Sequence, residues 1–136
     1  MKTTKNTIRI IIERSKDLYS SYADNVEGIY GSGNTVAEAK QSALDGLNLL
    51  IKYNSSENLP EILKGDYQII YKFDSESFFN YYKGIFTNSA LEKLTGINQK
   101  QLQHYASGLK KPREMQAKKI ENALHKLGHE LLEIEL

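Results

Sequence analysis

Phe86 to Pro112 reads FTNSALEKLTGINQKQLQHYASGLKKP, and its reading decides how the rest of the chain is divided. Thr87 is placed to cap a helix running to about Thr95, with Ala90, Leu91 and Leu94 turned inward. Gly96 makes a turn, and Ile97 fills the core beneath it. Asn98 then caps a second helix, Gln99 to Ser107. Gly108 ends that helix in the left-handed manner, and Pro112 stiffens the exit. The pattern is helix, glycine turn, helix, basic loop.

Two short helices joined in this way form a helix-turn-helix, whose second helix lies in the DNA major groove with its first residues at base edges. On Gln99 to Ser107, the residues Leu102, Tyr105 and Ala106 face inward. Gln99, Lys100, Gln101, Gln103 and His104 are left outside. Gln can pair with adenine and Lys with guanine, so these five are the candidate base readers. Thr87 and Asn98 at the helix starts, with Lys110, Lys111 and Arg113 in and after the loop, are the candidate phosphate contacts.

Downstream, Arg113 to Leu127 reads as an amphipathic helix with Met115, Ile120, Ala123, Leu124 and Leu127 on its stripe, and Gly128 is expected to stop it. Glu130 to Leu136 (ELLEIEL) alternates imperfectly and fits either a closing strand that pairs with a second subunit or a frayed helical tail. Upstream, Asp74 or Ser75 caps a helix of about Glu76 to Lys83, with Phe78, Phe79 and Tyr82 as packing residues. Gly84 ends it.

The first half has a different grammar. Met1 to Thr7 is polar and reads as a frayed end. Ile8 to Glu13 (IRIIIE) and Leu18 to Ala23 (LYSSYA) read as strands, and Ile29 to Gly31 as a short third. Gly31 to Asn34 reads as a loop. Thr35 to Glu38 is a capping box: hydroxyl to the amide three residues on, carboxylate back to the cap amide. It opens a helix with Val36, Ala39, Ala43, Leu44, Leu47, Leu50 and Ile51 on one face. Leu59-Pro60 stops the chain's helical run, and Glu61 to Lys64 fits one turn. Tyr67 to Phe73 (YQIIYKF) is a last strand, with Tyr67, Ile69, Tyr71 and Phe73 on one side. The expected fold is therefore α+β. A small antiparallel sheet with one amphipathic helix fills residues 1–74, and an all-α helix-turn-helix domain fills 75–136.

Composition narrows the function. The chain has 136 residues, no cysteine and a formal net charge of +1. Without cysteine there is neither a disulfide framework nor a thiolate metal site. Its apolar runs are far short of a membrane span, and its first residues lack the apolar core of a signal peptide, so the expected compartment is the cytoplasm, with no membrane partner. The charge is unevenly spread. Lys100, Lys110, Lys111, Arg113, Lys118 and Lys119 face only Glu114 between positions 100 and 119. A basic stretch on a nearly neutral chain points to an anionic partner at one end.

Phe86 to Leu127 resembles the lambda-repressor-like helix-turn-helix family. Gly96, Ile97, Asn98, the polar helix Gln99 to Ser107, Gly108, Lys110-Lys111 and Pro112 carry the resemblance. Two positions depart from the family pattern. Glu92 stands where alanine is usual, so its carboxylate needs solvent or a basic partner, and Ala106 stands where glutamate is frequent. The first half looks like the HicB antitoxin domain, a partly degraded RNase H type of fold. Ile8 to Glu13, Tyr22 to Gly28, Gly31 to Ala39 and Leu59-Pro60 carry that resemblance, with Gly33-Asn34-Thr35-Val36-Ala37-Glu38-Ala39 its specific part. Together these resemblances imply an antitoxin that masks a HicA-type RNA-cleaving toxin and represses its own operon. Operator DNA, the toxin and a second copy of the chain, as a homodimer or higher even oligomer, are the implied partners. No cofactor is expected.

Two other classes fit parts of the sequence. A stand-alone dimeric regulator would use the first half only to oligomerise. A metal-dependent nuclease of RNase H type would need several carboxylates converging on metal ions. Asp17, Asp24, Glu38 and Asp45 are the candidates, but turns, the capping box and a solvated helix face account for all four, so no catalytic residue is assigned. His125 and His129 have the spacing of metal ligands, yet Gly128 is expected to break the helix between them and no third ligand is near. No metal site is assigned. Gly31-Ser32-Gly33 before a helix lacks the Gly-Lys-Ser/Thr ending of a phosphate loop.

Overall fold

The computed structural model describes residues 6–136, so most of the expected frayed end lies outside the described residues, while Asn6 and Thr7 already belong to a strand. The chain divides into two compact units, Met1–Ser77 and Phe78–Leu136.

The first unit is a four-stranded sheet with one helix. Strand β1 (Asn6–Arg14) is followed by β2 (Tyr19–Ala23), β3 (Tyr30–Gly33), helix α1 (Val36–Tyr53), a single 3-10 turn at Glu61–Leu63, and β4 (Tyr67–Phe73). The strand order is β3-β2-β1-β4. β1 pairs antiparallel with β2, and β2 with β3, but β1 pairs parallel with β4, so the sheet is mixed rather than antiparallel. The reason is the connection: α1 carries the chain across one face, and β4 returns in the direction of β1. Alternation along YQIIYKF is the same for either direction, so local sequence could not tell them apart.

The alternation itself holds. Ile8, Ile10 and Ile12 of β1 are fully buried and stand beside Ile69, Tyr71 and Phe73 of β4. From α1 the buried residues are Val36, Ala39, Ala43 and Leu47. The capping box forms with one change. Thr35 Oγ1 accepts from the Glu38 N–H at 3.1 Å, but the Glu38 carboxylate accepts from the N–H of Asn34, at 2.8 Å, rather than that of Thr35.

Gly31 to Gly33, expected to lie in a loop, forms β3. A Cβ at Gly31 would sit 2.5 Å from the Ala43 backbone nitrogen, and one at Gly33 would sit 2.4 Å from Glu38 Cβ. Helix and strand therefore touch backbone to backbone, which only glycine permits. Ser21 Oγ, buried in β2, donates to the Ala39 carbonyl at 2.7 Å and ties the same contact.

The second unit is helical. The helix α2 (Ser75–Tyr82) starts in the first unit, where Asp74 Oδ1 accepts from the Ser77 N–H at 2.8 Å. Then come α3 (Asn88–Thr95), α4 (Gln99–Ser107) and α5 (Glu114–Leu132). Phe79, Leu91, Ile97, Leu102, Tyr105 and Ile120 form the core, with Phe78, Phe86, Leu94, Ala106 and Leu124 packed around it. Gly128 does not stop α5, and the ELLEIEL segment is not a strand: its first residues complete the helix, and Glu133 N–H donates to Glu130 O. A mid-helix glycine costs only about 1 kcal/mol relative to alanine, and it ends a helix only where it turns left-handed. The left-handed glycines are Gly28, Gly65, Gly96 and Gly108.

Candidate nucleic-acid interface

The turn between α3 and α4 is held by side chains from both of its ends. Thr87 Oγ1 accepts from the Ala90 N–H at 3.0 Å and starts α3. Gly96, at φ 76°, closes it, its N–H bonded to the Glu92 carbonyl. Thr95 is buried. Its hydroxyl donates to the Leu91 carbonyl at 2.7 Å and accepts from the Ile97 N–H at 3.1 Å, bridging the helix end and the turn. Asn98 Oδ1 accepts from the Gln101 N–H at 2.9 Å and starts α4. Ile97, Leu102 and Tyr105 are buried beneath.

Glu92 has a specific task. Its carboxylate accepts from the Gln99 backbone N–H at 3.0 Å and lies 3.5 Å from the Gln99 side-chain nitrogen. The partner expected for this acid was solvent or a base; it is the N-terminus of α4, where unpaired N–H groups favour negative charge. Glu92 thus spans from the last turn of α3 to the first residue of α4. Nothing in its helical spacing announces this, because the contact crosses a turn.

The candidate base readers separate into two groups. Gln99, Lys100 and Gln103 are exposed. Gln103 is steadied by Asn88 of α3, whose side-chain nitrogen donates to Gln103 Oε1 at 3.0 Å. Gln101 and His104 are half-buried. The Gln101 amide nitrogen lies 2.9 Å from the Tyr105 hydroxyl, so it is already engaged. His104 Nδ1 is buried and has no hydrogen-bond partner among the described residues.

The candidate phosphate contacts follow. Thr87 and Asn98 are exposed, with their side-chain oxygens committed to the caps. Lys110, Lys111 and Arg113 are exposed. The loop that carries them is anchored to α4, with Gly108 at φ 80° donating to the Tyr105 carbonyl and Lys110 N–H donating to the His104 carbonyl at 3.1 Å. Arg113 is the N-cap of α5 with no side-chain cap, and lines an open groove with Glu114, Met115, Lys118, Lys119 and Asn122. Asn88, Glu92 and Thr95 are the positioning residues that sequence reasoning missed. Charge clustering does find Lys118 and Lys119.

The carboxylates that a nuclease would need have separate surroundings. Asp24 pairs with Arg9 at 3.3 Å, Glu38 is in the capping box, and Asp45 accepts from the Gln41 amide at 2.9 Å. Among the described residues, no three His, Asp or Glu side chains gather as metal ligands would, and no helix is long and apolar enough to cross a membrane. His125 and His129 share the unbroken helix α5, both exposed.

Comparison of the chain with models of protein families, with curated proteins and with solved structures finds no match.

Proposed function

We propose that the second unit reads DNA as a helix-turn-helix and that the whole chain is an antitoxin of HicB type. In this reading the first unit binds a HicA-type RNA-cleaving toxin, and the second represses the operon that encodes both, as a dimer or higher even oligomer. The observation that carries the DNA reading is α4 itself. Gln99, Lys100 and Gln103 stand exposed on a helix capped at both ends, and an anchored loop presents Lys110 and Lys111 directly after it. A base-reading helix must be held rigidly if its hydrogen bonds are to discriminate, and phosphate contacts must fix its register. The antitoxin reading rests on the resemblance of the first half to HicB; the capping box at Thr35 and the glycine strand Gly31 to Gly33 fit the passage that carries it.

The test is to measure operator affinity for Gln99→Ala and Lys110→Ala over a range of salt concentration. The Gln99 change alters sequence preference, at about 1–3 kcal/mol for the base pair it reads. The Lys110 change weakens all DNA alike and lowers the salt slope by about 1. Unchanged binding in both variants defeats the assignment of α4 as the reading helix. The toxin reading is tested by looking for a small basic reading frame beside the gene and co-purifying its product with this chain; no such frame, or no co-purification, defeats it.

A further inference from the structure

The exposed glutamines of α4, Gln99 and Gln103, are both held from α3, by groups of opposite character. Glu92 accepts from the Gln99 backbone N–H at 3.0 Å, which fixes its carboxylate beside the Gln99 side chain. An ionised carboxylate has no hydrogen to give, so it faces the nitrogen of that amide and not the oxygen. The nitrogen lies 3.5 Å from Glu92 Oε1. Gln99 Oε1 is left facing away from Glu92, with no partner among the described residues.

Asn88 does the reverse for Gln103. Its side-chain nitrogen donates to Gln103 Oε1 at 3.0 Å, so the oxygen is occupied and the amide hydrogens of Gln103 are left free. A glutamine that nothing holds can turn its amide over and meet a donor or an acceptor alike. Held in this way, each presents one character. In the major groove adenine and cytosine show an amino group, whereas guanine and thymine show a carbonyl oxygen. The charge of Glu92 reinforces the choice at Gln99, because it attracts an amino hydrogen and repels a carbonyl oxygen.

We propose that α3 sets opposite hydrogen-bonding polarities on the glutamines of α4. Gln99 accepts from the amino group of an adenine or cytosine, and Gln103 donates to the carbonyl oxygen of a guanine or thymine. Glu92 and Asn88 are the positioning residues for this choice. The inference rests on the reading of α4 as the DNA-reading helix, and adds which group of the base each side chain recognises.

Every base pair holds one amino base and one carbonyl base, so sequence preference alone does not separate the alternatives. The test therefore removes single groups. The full chain selects its preferred duplex from a random library, and Gln99→Ala and Gln103→Ala mark the base pair that each glutamine reads. Analogues are then placed in that pair. Purine for adenine, or 2-pyrimidinone for cytosine, removes the amino group. 2-Aminopurine for guanine, or 5-methyl-2-pyrimidinone for thymine, removes the carbonyl oxygen. At the Gln99 pair, loss of the amino group is expected to weaken wild-type binding about ten-fold more than that of Gln99→Ala, while loss of the carbonyl oxygen weakens both alike. At the Gln103 pair the carbonyl oxygen is the sensitive group. Asn88→Asp puts a group that can only accept beside the Gln103 amide, so sensitivity there passes to the amino group while that at the Gln99 pair stays as it was. Circular dichroism checks that each variant keeps its helices. Three results overturn the proposal and leave the DNA reading standing: the reverse pattern in the wild type, equal sensitivity to both groups at either pair, or an Asn88→Asp variant with the wild-type pattern. A chain that selects no duplex, or alanine variants that lose no preference, overturns both.

Discussion

Glu92 is the residue with the widest reach for its size. It takes a hydrogen bond from the Gln99 N–H and places its charge at the start of α4. A charge-assisted bond at a helix start contributes about 1 kcal/mol. Glu92→Ala is therefore expected to destabilise the second unit by about that amount, measured by chemical denaturation. If α4 meets DNA as proposed, the same change removes a carboxylate from a surface that faces phosphates, so affinity for any DNA at low salt should rise while preference at the Gln99 position loosens. Gly31 is the corresponding residue of the first unit. A side chain there meets the Ala43 backbone nitrogen and the Ser21 and Ser42 hydroxyls, at 2.5, 2.6 and 2.7 Å. Backbone cannot yield as a flexible side chain can, so Gly31→Ala should cost about 2 kcal/mol or more, read as a fall in melting temperature.

Elements whose limits depend on local chemistry were legible in the sequence. Helices α3 and α4 begin and end where Thr87, Gly96, Asn98 and Gly108 say they should. The face of α1 that packs inward includes the predicted Val36, Ala39, Ala43 and Leu47. What was not legible depends on groups distant along the chain. β4 alternates correctly, but its parallel partner β1 is written nowhere near it. Gly31-Ser32-Gly33 has poor strand propensity, and it forms a strand because a helix backbone presses on it. At the candidate interface, exposure of Gln99, Lys100 and Gln103 agrees with the helical projection, whereas the Gln101–Tyr105 contact depends on where Tyr105 ends up. Gly128 shows the limit of punctuation by glycine, since α5 simply continues through it. Gly128→Ala should raise helicity and add up to about 1 kcal/mol of stability, checked by circular dichroism and thermal melting.

At the scale of the molecule, each unit has a hydrophobic core of its own: the isoleucines of β1 with α1 in one, Phe79 with Leu91, Leu102 and Tyr105 in the other. Units of this kind need not unfold together. Leu102→Ala, which empties a fully buried site, should cost about 2–5 kcal/mol. In hydrogen exchange its effect is expected to stay within residues 78–136, while that of Gly31→Ala stays within 6–77. Spread of either change across both ranges would mean that the units fold as one. The parallel pairing of β1 with β4 has a consequence for how the chain is made. On the edge of β1 that faces β4, Ile8 meets Ile69 and Ile12 meets Phe73, whereas the helices of the second unit join partners nearby in the chain. Loop closure over so long a span is slow compared with local helix packing. During synthesis β1 must therefore wait, with one edge unpaired, until Phe73 has left the ribosome. For that interval its run of isoleucines is the stretch of the nascent chain most in need of shelter.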